Sequence, residues 1–320
     1  FMSSFEYEAT KVIIEATTIK KPVIGVLSFY PVLGVKIPPE MAQYSKKSED
    51  QKPWAFIQAL KYIYEFIEIP KESIDLNSMK LDGLVVIHPK DLPNATLFAI
   101  DQYVLKGGRL IVFTDELSVF DNPPKEAQNP YVYKRCSQMD ILTDSWGLKR
   151  VKDSILCDKN ISTEVFFPNS SGGREAVVHP TILTAVEKSF KVGSRITLGI
   201  QNIWIPHAGV YDKIVKPGLT IAELVFVTRQ NAELPTQQVM ASEPSALQTA
   251  FNKILAEKGE RDAKGIVFQI TGKFATAFPE GKPPVEIDPK APPAPPPENI
   301  VALKESQGKP IVVLITDVDM

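Results

Sequence analysis

Only two cysteines, Cys136 and Cys157, occur in 320 residues. They are too few and too far apart for a CxxC redox pair or a cysteine-ligated zinc site. A disulfide between them would need an oxidising compartment and Cβ atoms that meet, which spacing alone does not supply. Neither sign of charge dominates, with 36 lysines and arginines against 38 aspartates and glutamates and a net charge of -2. There is therefore no electrostatic case for nucleic acid or an anionic membrane surface as a partner. No apolar run approaches the ~18 residues that span a bilayer, and the opening FMSSFEYEAT has neither the basic nor the apolar region of a secretory signal. A GxxxxGK[ST] phosphate loop is also missing, because the lysine of YVLKGGRLI precedes its glycines, and this argues against an ATPase. The chain begins at Phe1 and stops directly after a strand-like run, LITDVDM, which suggests a piece of a longer protein.

What is present is an ordinary globular composition, 44% hydrophobic and 23% charged, over a length that suits about two domains or one elaborated α/β domain. KPVIGVLSF reads as a strand. PWAFIQALKYIYEFIEI places Phe56, Ile57, Leu60, Ile63, Tyr64 and Ile67 at helical spacing, with Pro53 suited to a first turn. LVVI (84–87) has no alternation, as expected of a strand buried on both faces. Asp91 or Asn94 would cap the helix that follows. Leu97, Ile100 and Val104 would form its apolar face, and Gly107-Gly108 would end it before the strand RLIVFT. Strand, helix and strand make a crossover that sets its strands parallel, so residues 1–150 are expected to form a doubly wound, mostly parallel α/β sheet.

Residues 151–278 change texture to short strand-like pieces (DSILCD, RITLGI, AGVYDKIV, LTIAELVFVT, GIVFQITGKFATAF) and one helix over 244–259, capped by Ser242 or Ser245 and closed by Gly259. This half is expected to be an additional α+β region. SSGGREAVVHP reads as a turn rather than a phosphate cradle. Residues 279–299 hold nine prolines and read as an extended linker, after which 300–320 would return a final strand, IVVLI, to the parallel sheet.

IDQYVLKGGRLIVFTDE resembles a block of the gliding-motility auxiliary family, an ABC-type transport-system auxiliary component. FEYEATKVI with KPVIGVLS, PWAFIQALKYIYEF, LDGLVVIHPKDLP, ITGKFATAFPEGKP and VVLITDVDM are similar to other blocks of that family, while 120–260 match loosely. The resemblance implies a glutamine-amidotransferase-like, flavodoxin-like fold without an established catalytic activity, and no cofactor is expected. It also implies an extracytoplasmic domain on the periplasmic side of the bacterial inner membrane, held by helices outside this chain and working beside an ABC permease and a separate ATPase.

Open parallel sheets bind ligands outside the carboxyl ends of their strands, where Ser28, His88, Asp115, Asp317 and Asp319 are expected. Ser28, His88 and Asp115 offer a triad: His88 taking a proton from Ser28, Asp115 orienting the imidazole. Against this, GVLSFYP lacks the glycine-flanked nucleophile elbow, neither cysteine supplies one, and Pro89 makes His88 a loop-fixing residue. Asp115, Asp317 and Asp319 have the oxygen chemistry for a hard cation, but strand-end aspartates commonly tie down loops, so no metal is assigned. Asp101 and Gln102 fall within the crossover helix and read as surface or packing residues. A non-catalytic binding or scaffold domain is therefore the leading reading, with a hydrolase or amidotransferase-like enzyme as the alternative.

Overall fold

A computed structural model describes residues 2–35, 51–72, 75–124, 133–168, 172–284 and 302–320. In chain order its strands are β1 (Val23–Ser28), β2 (Glu65–Glu68), β3 (Gly83–Ile87), β4 (Arg109–Phe113), β5 (Leu148–Asp158), β6 (Ser162–Pro168) and β7 (Arg174–Val186). They continue with β8 (Asn202–Pro206), β9 (Gly209–Lys213), β10 (Leu219–Phe226), β11 (Asn231–Pro235), β12 (Gly265–Gly272) and β13 (Ile311–Ile315). The described helices are α1 (Met2–Thr17), α2 (Ala55–Leu60), α3 (Asn94–Leu105), α4 (Asp140–Ser145), α5 (Thr236–Ala241) and α6 (Pro244–Lys258). Among the described residues no helix is long and apolar enough to cross a membrane.

The centre is a seven-stranded mixed sheet in the order β10-β12-β13-β4-β3-β1-β2. β13, β4, β3, β1 and β2 run parallel, and β12 is antiparallel to both its neighbours. The β3-α3-β4 crossover forms as the apolar runs require, with Val86 and Val112 fully buried. The closing strand β13 lies between β4, to which it is parallel, and β12, to which it is antiparallel. Val312 and Leu314 are therefore sealed from water. β10 and β12, from beyond residue 151, complete this same sheet.

Four local expectations are corrected. The helix foreseen across 53–67 stops at Leu60, and Glu65–Glu68 instead form a strand paired parallel to β1. Short apolar stretches satisfy both periods, and here the unpaired edge of β1 decides. α3 is buried from Ala95 to Leu105 rather than along one face, because Phe274, Phe278 and the 302–303 segment close over its outer side. Pro93 and Glu243 occupy the N-cap positions of α3 and α6 without side-chain caps, so Asp91, Asn94, Ser242 and Ser245 do not cap them. RITLGI (195–200) is bends followed by a turn rather than a strand, with Gly199 at φ 82° inside it and Gly193 at φ 78° just before it. The helix ends do follow expectation: Gly107 (φ 101°) follows α3 and Gly259 (φ 68°) closes α6. At Gly107 a Cβ would lie 3.1 Å from the Cα of Gly308, so backbone packing as well as φ requires glycine.

Alternation along the strands separates the two faces of the sheet. Leu27, Leu84, Val86, Leu110, Val112, Val312 and Leu314 pack with α3 and with Leu142 of α4. On the opposite face, where a doubly wound sheet carries helices, Val267, Val313 and Ile315 meet Leu183, Ala185 and Ile205 of the antiparallel β6-β7-β8 sheet. β6 ends at Pro168 and β7 begins at Arg174, and the two pair antiparallel, so the glycine-rich segment lies between strands. The third sheet, β11-β5-β9, shelters Leu247 and Phe251 of α6 beside Leu234 and Cys157. Both cysteines are free thiols. Most of the proline-rich segment, 285–301, lies outside the described residues.

Candidate functional site

The carboxyl ends of β1, β3, β4 and β13 carry Ser28, His88, Asp115, Asp317 and Asp319 onto one edge of the sheet. Four of these five are buried, and most of their hydrogen-bonding capacity is spent inside the protein. Ser28 Oγ accepts from the Tyr30 backbone N–H at 3.0 Å, closing the turn after β1. His88 follows β3 with φ 47° and is fully buried. Its Nε2 lies 3.1 Å from Asp121 Oδ2 and its Nδ1 2.9 Å from Ser137 Oγ. An ionised carboxylate only accepts, so Nε2 carries the proton and Nδ1 accepts from the Ser137 hydroxyl. Ser137 Oγ in turn accepts from the Asp115 N–H at 2.9 Å.

Ser28 and His88 therefore share no hydrogen bond, and Asp115 does not orient the imidazole. The Ser137, His88 and Asp121 trio has the residue types of a triad, but its hydroxyl sits on Nδ1 and its carboxylate on Nε2, with all three side chains inaccessible to solvent. Ser137, the only hydroxyl of the trio, is closed to solvent. Its role is to fasten the loop after β3 to the loop after β4.

Asp121 gathers three donors: His88, Lys90 Nζ at 2.5 Å and Tyr133 Oη at 2.7 Å. Burial works against its charge, yet these donors hold its pKa below the usual carboxylate value. Lys90 also donates to the Lys134 carbonyl at 2.7 Å and sits 4.0 Å from the centroid of the Tyr133 ring. Above His88, Tyr30 stacks at 5.2 Å and Trp54 stacks on Tyr30 at 5.7 Å.

The three strand-end aspartates tie down backbone. Asp115 Oδ1 accepts from Leu117 N–H at 2.7 Å and Oδ2 from Val318 N–H at 3.0 Å. Asp319 accepts from Ser118 Oγ at 3.0 Å and Val119 N–H at 2.7 Å. Asp317 Oδ1 accepts from Asp319 N–H at 2.6 Å, while its Oδ2 is buried without a partner. Burial comes first in pushing Asp115 and Asp317 well above the ordinary carboxylate range, followed by repulsion from Asp317 and Asp319 at Asp115 and from Asp319 at Asp317. Among the described residues no group of three or more His, Cys, Asp or Glu side chains is arranged to hold a metal ion.

Asp101 and Gln102 are buried ties, not surface residues. Asp101 accepts from Thr276 Oγ1 at 2.6 Å and Ala277 N–H at 3.0 Å, and Gln102 pairs with both the N–H and the carbonyl of Leu303. Asp121, Ser137, Lys90, Tyr30 and Tyr133 were not legible as site residues. The one available signal was that a buried histidine needs two partners, which sequence cannot name.

Just outside this junction, a cleft of about 420 Å³ opens between the loop carrying Tyr133–Cys136, β5 and α5. Arg150 crosses its floor, donating to Glu116 Oε2 at 2.7 Å and through Nε and Nη2 to Asp140 at 2.7 and 3.0 Å. Burial works against this guanidinium, but Asp140 and Glu116 outweigh it and keep Arg150 firmly charged.

Fold and site together define an α/β protein whose strand-end residues form a packed junction next to an open cleft. Residues 21–320 match the family described as an ABC-type uncharacterized transport system, and the chain belongs to that family. No curated protein matches the chain.

Proposed function

We propose that this chain is the non-catalytic, extracytoplasmic binding or scaffold domain of an ABC transport auxiliary component of the gliding-motility type. On this reading it recognises a ligand or partner protein on the periplasmic side of the inner membrane, beside the permease and its ATPase. The observation that carries the non-catalytic part is the burial of His88: its ring is engaged by Ser137 and Asp121, not by Ser28, and all three side chains are closed to solvent, so a substrate has no access to this base. Family membership supports the transport setting.

The test is affinity purification of the full-length protein from detergent-solubilised membranes of its host. Recovery of a permease and an ATPase subunit in fixed proportion supports the reading. Recovery of the protein without them, together with turnover of ester or amide substrates by the purified chain, would overturn it in favour of a hydrolase.

A further inference from the structure

We infer that the cleft beside the strand-end junction is a binding site for a small oxyanion, a molecule carrying phosphate or carboxylate groups. Its walls bring together Lys134, Arg135, Arg150 and Lys152 against two lining carboxylates, Glu116 and Asp153. Arg150 is neutralised by Glu116 and Asp140, and Lys152 lies 3.7 Å from Asp140. Lys134 and Arg135 have no ion pair among the described residues, so positive charge is left over at the loop wall.

Two further atoms point the same way. Arg135 Nε and Thr236 Oγ1 are both buried and both lack a hydrogen-bond partner among the described residues, and both residues line this cleft, one from the loop and one from the start of α5. A buried N–H or hydroxyl left unpaired costs free energy, so native proteins rarely keep one without a use. Here both can donate, one of them from the Arg135 guanidinium itself with Lys134 next to it in the chain, which is the complement of an oxyanion with several acceptor oxygens. The volume lies within the range that small-molecule sites occupy. The position, next to Glu116 and Leu117 after β4, is where open α/β sheets bind ligands. This site uses neither His88 nor the buried aspartates, and it does not depend on the transport reading.

Calorimetric titration of the intact chain with pyrophosphate and with citrate, at constant ionic strength against chloride, tests the inference. Vesicles of phosphatidylglycerol, compared with phosphatidylcholine, test whether the oxyanion is instead presented by a lipid headgroup. Saturable binding of at least one soluble anion is expected, weakened about tenfold or more in Arg135→Ala and unchanged in Lys253→Ala, an exposed lysine of α6 that does not line the cleft. Thr236→Val is the sharper variant: because this hydroxyl has no partner among the described residues, the change should leave the melting temperature at or above the parent's while weakening binding several-fold. Absence of saturable binding by either anion, or binding that both cleft variants leave intact, would overturn the site. Binding only to anionic vesicles would overturn the soluble-ligand assignment.

Discussion

The phenol ring of Tyr30 lies almost flat on the imidazole of His88, 5.2 Å between centroids and 11° between planes. The contact joins the turn after β1 to the turn after β3, and Tyr30 Oη extends it to Ser118, 2.6 Å away, beyond β4. Ser118 reaches Asp319 beyond β13. Four strand ends that are distant in sequence are thus fastened by one continuous set of contacts, which is the arrangement of a rigid platform.

His88 is the centre of that platform, and its backbone is as demanding as its ring. At φ 47° asparagine is tolerated far better than a β-branched residue. His88→Asn is expected to cost about 2 kcal/mol, for the lost ring contacts and a weakened Ser137 and Asp121 network. His88→Val should cost about 4 kcal/mol or more, adding backbone strain to unpaired buried groups. Urea denaturation midpoints of the two variants measure the difference, and equal costs would mean that the backbone conformation contributes nothing.

β13 should be integral to the fold although residues 273–310 separate it from β12. Leu314 is fully buried and packs in the core beneath α3, so Leu314→Ala is expected to cost about 3 kcal/mol. Ile111, on the neighbouring strand but 39% exposed on the other face, should cost less than about 1.5 kcal/mol on the same truncation. Thermal unfolding of the pair tests it, and similar losses would place β13 at the periphery.

The sequence shows the crossover and the closing strand because LVVI, RLIVF and IVVLI are apolar without alternation; two-sided burial accounts for LVVI and IVVLI, whereas in RLIVF the second face is only partly covered and leaves Ile111 39% exposed. It misplaces 53–67 because YIYEFIEI carries both a helical and an alternating pattern, and tertiary pairing with β1 chose the second. The strand-end location of Ser28, His88, Asp115, Asp317 and Asp319 is likewise legible, since strand ends can be read from where apolar runs stop. Their partners are not. Asp121 and Ser137 sit in irregular segments with no periodicity, 33 and 49 residues from His88, and only the folded chain brings them to its two nitrogens.

Asp317 supplies a pH-dependent case. Burial and the Asp319 charge raise its folded pKa, so between the unfolded and folded values the native state holds a proton that the unfolded chain has lost. Stability contributed by this group therefore falls as pH rises through that window, and at neutral pH the group destabilises the fold. Asp317→Asn keeps an oxygen for the Asp319 N–H and removes the charge. It is expected to raise stability at pH 7 by about 1–2 kcal/mol, with the gain shrinking toward zero near pH 4. Melting temperatures at the two pH values check the sign, and destabilisation at pH 7 would show that the ionised form is held favourably.

Ser28 provides the most direct measurement. Its hydroxyl accepts a hydrogen bond from Tyr30 N–H and engages no base among the described residues, so a non-catalytic platform loses little without it. A host strain lacking the parent gene is complemented with the full-length protein carrying Ser28→Ala, and the transport-dependent phenotype is scored alongside the stability of the purified chain. Complementation at the parental level is expected, with stability within about 1 kcal/mol of the parent. Loss of complementation in a chain of unchanged stability would make Ser28 a reacting group and contradict the non-catalytic account.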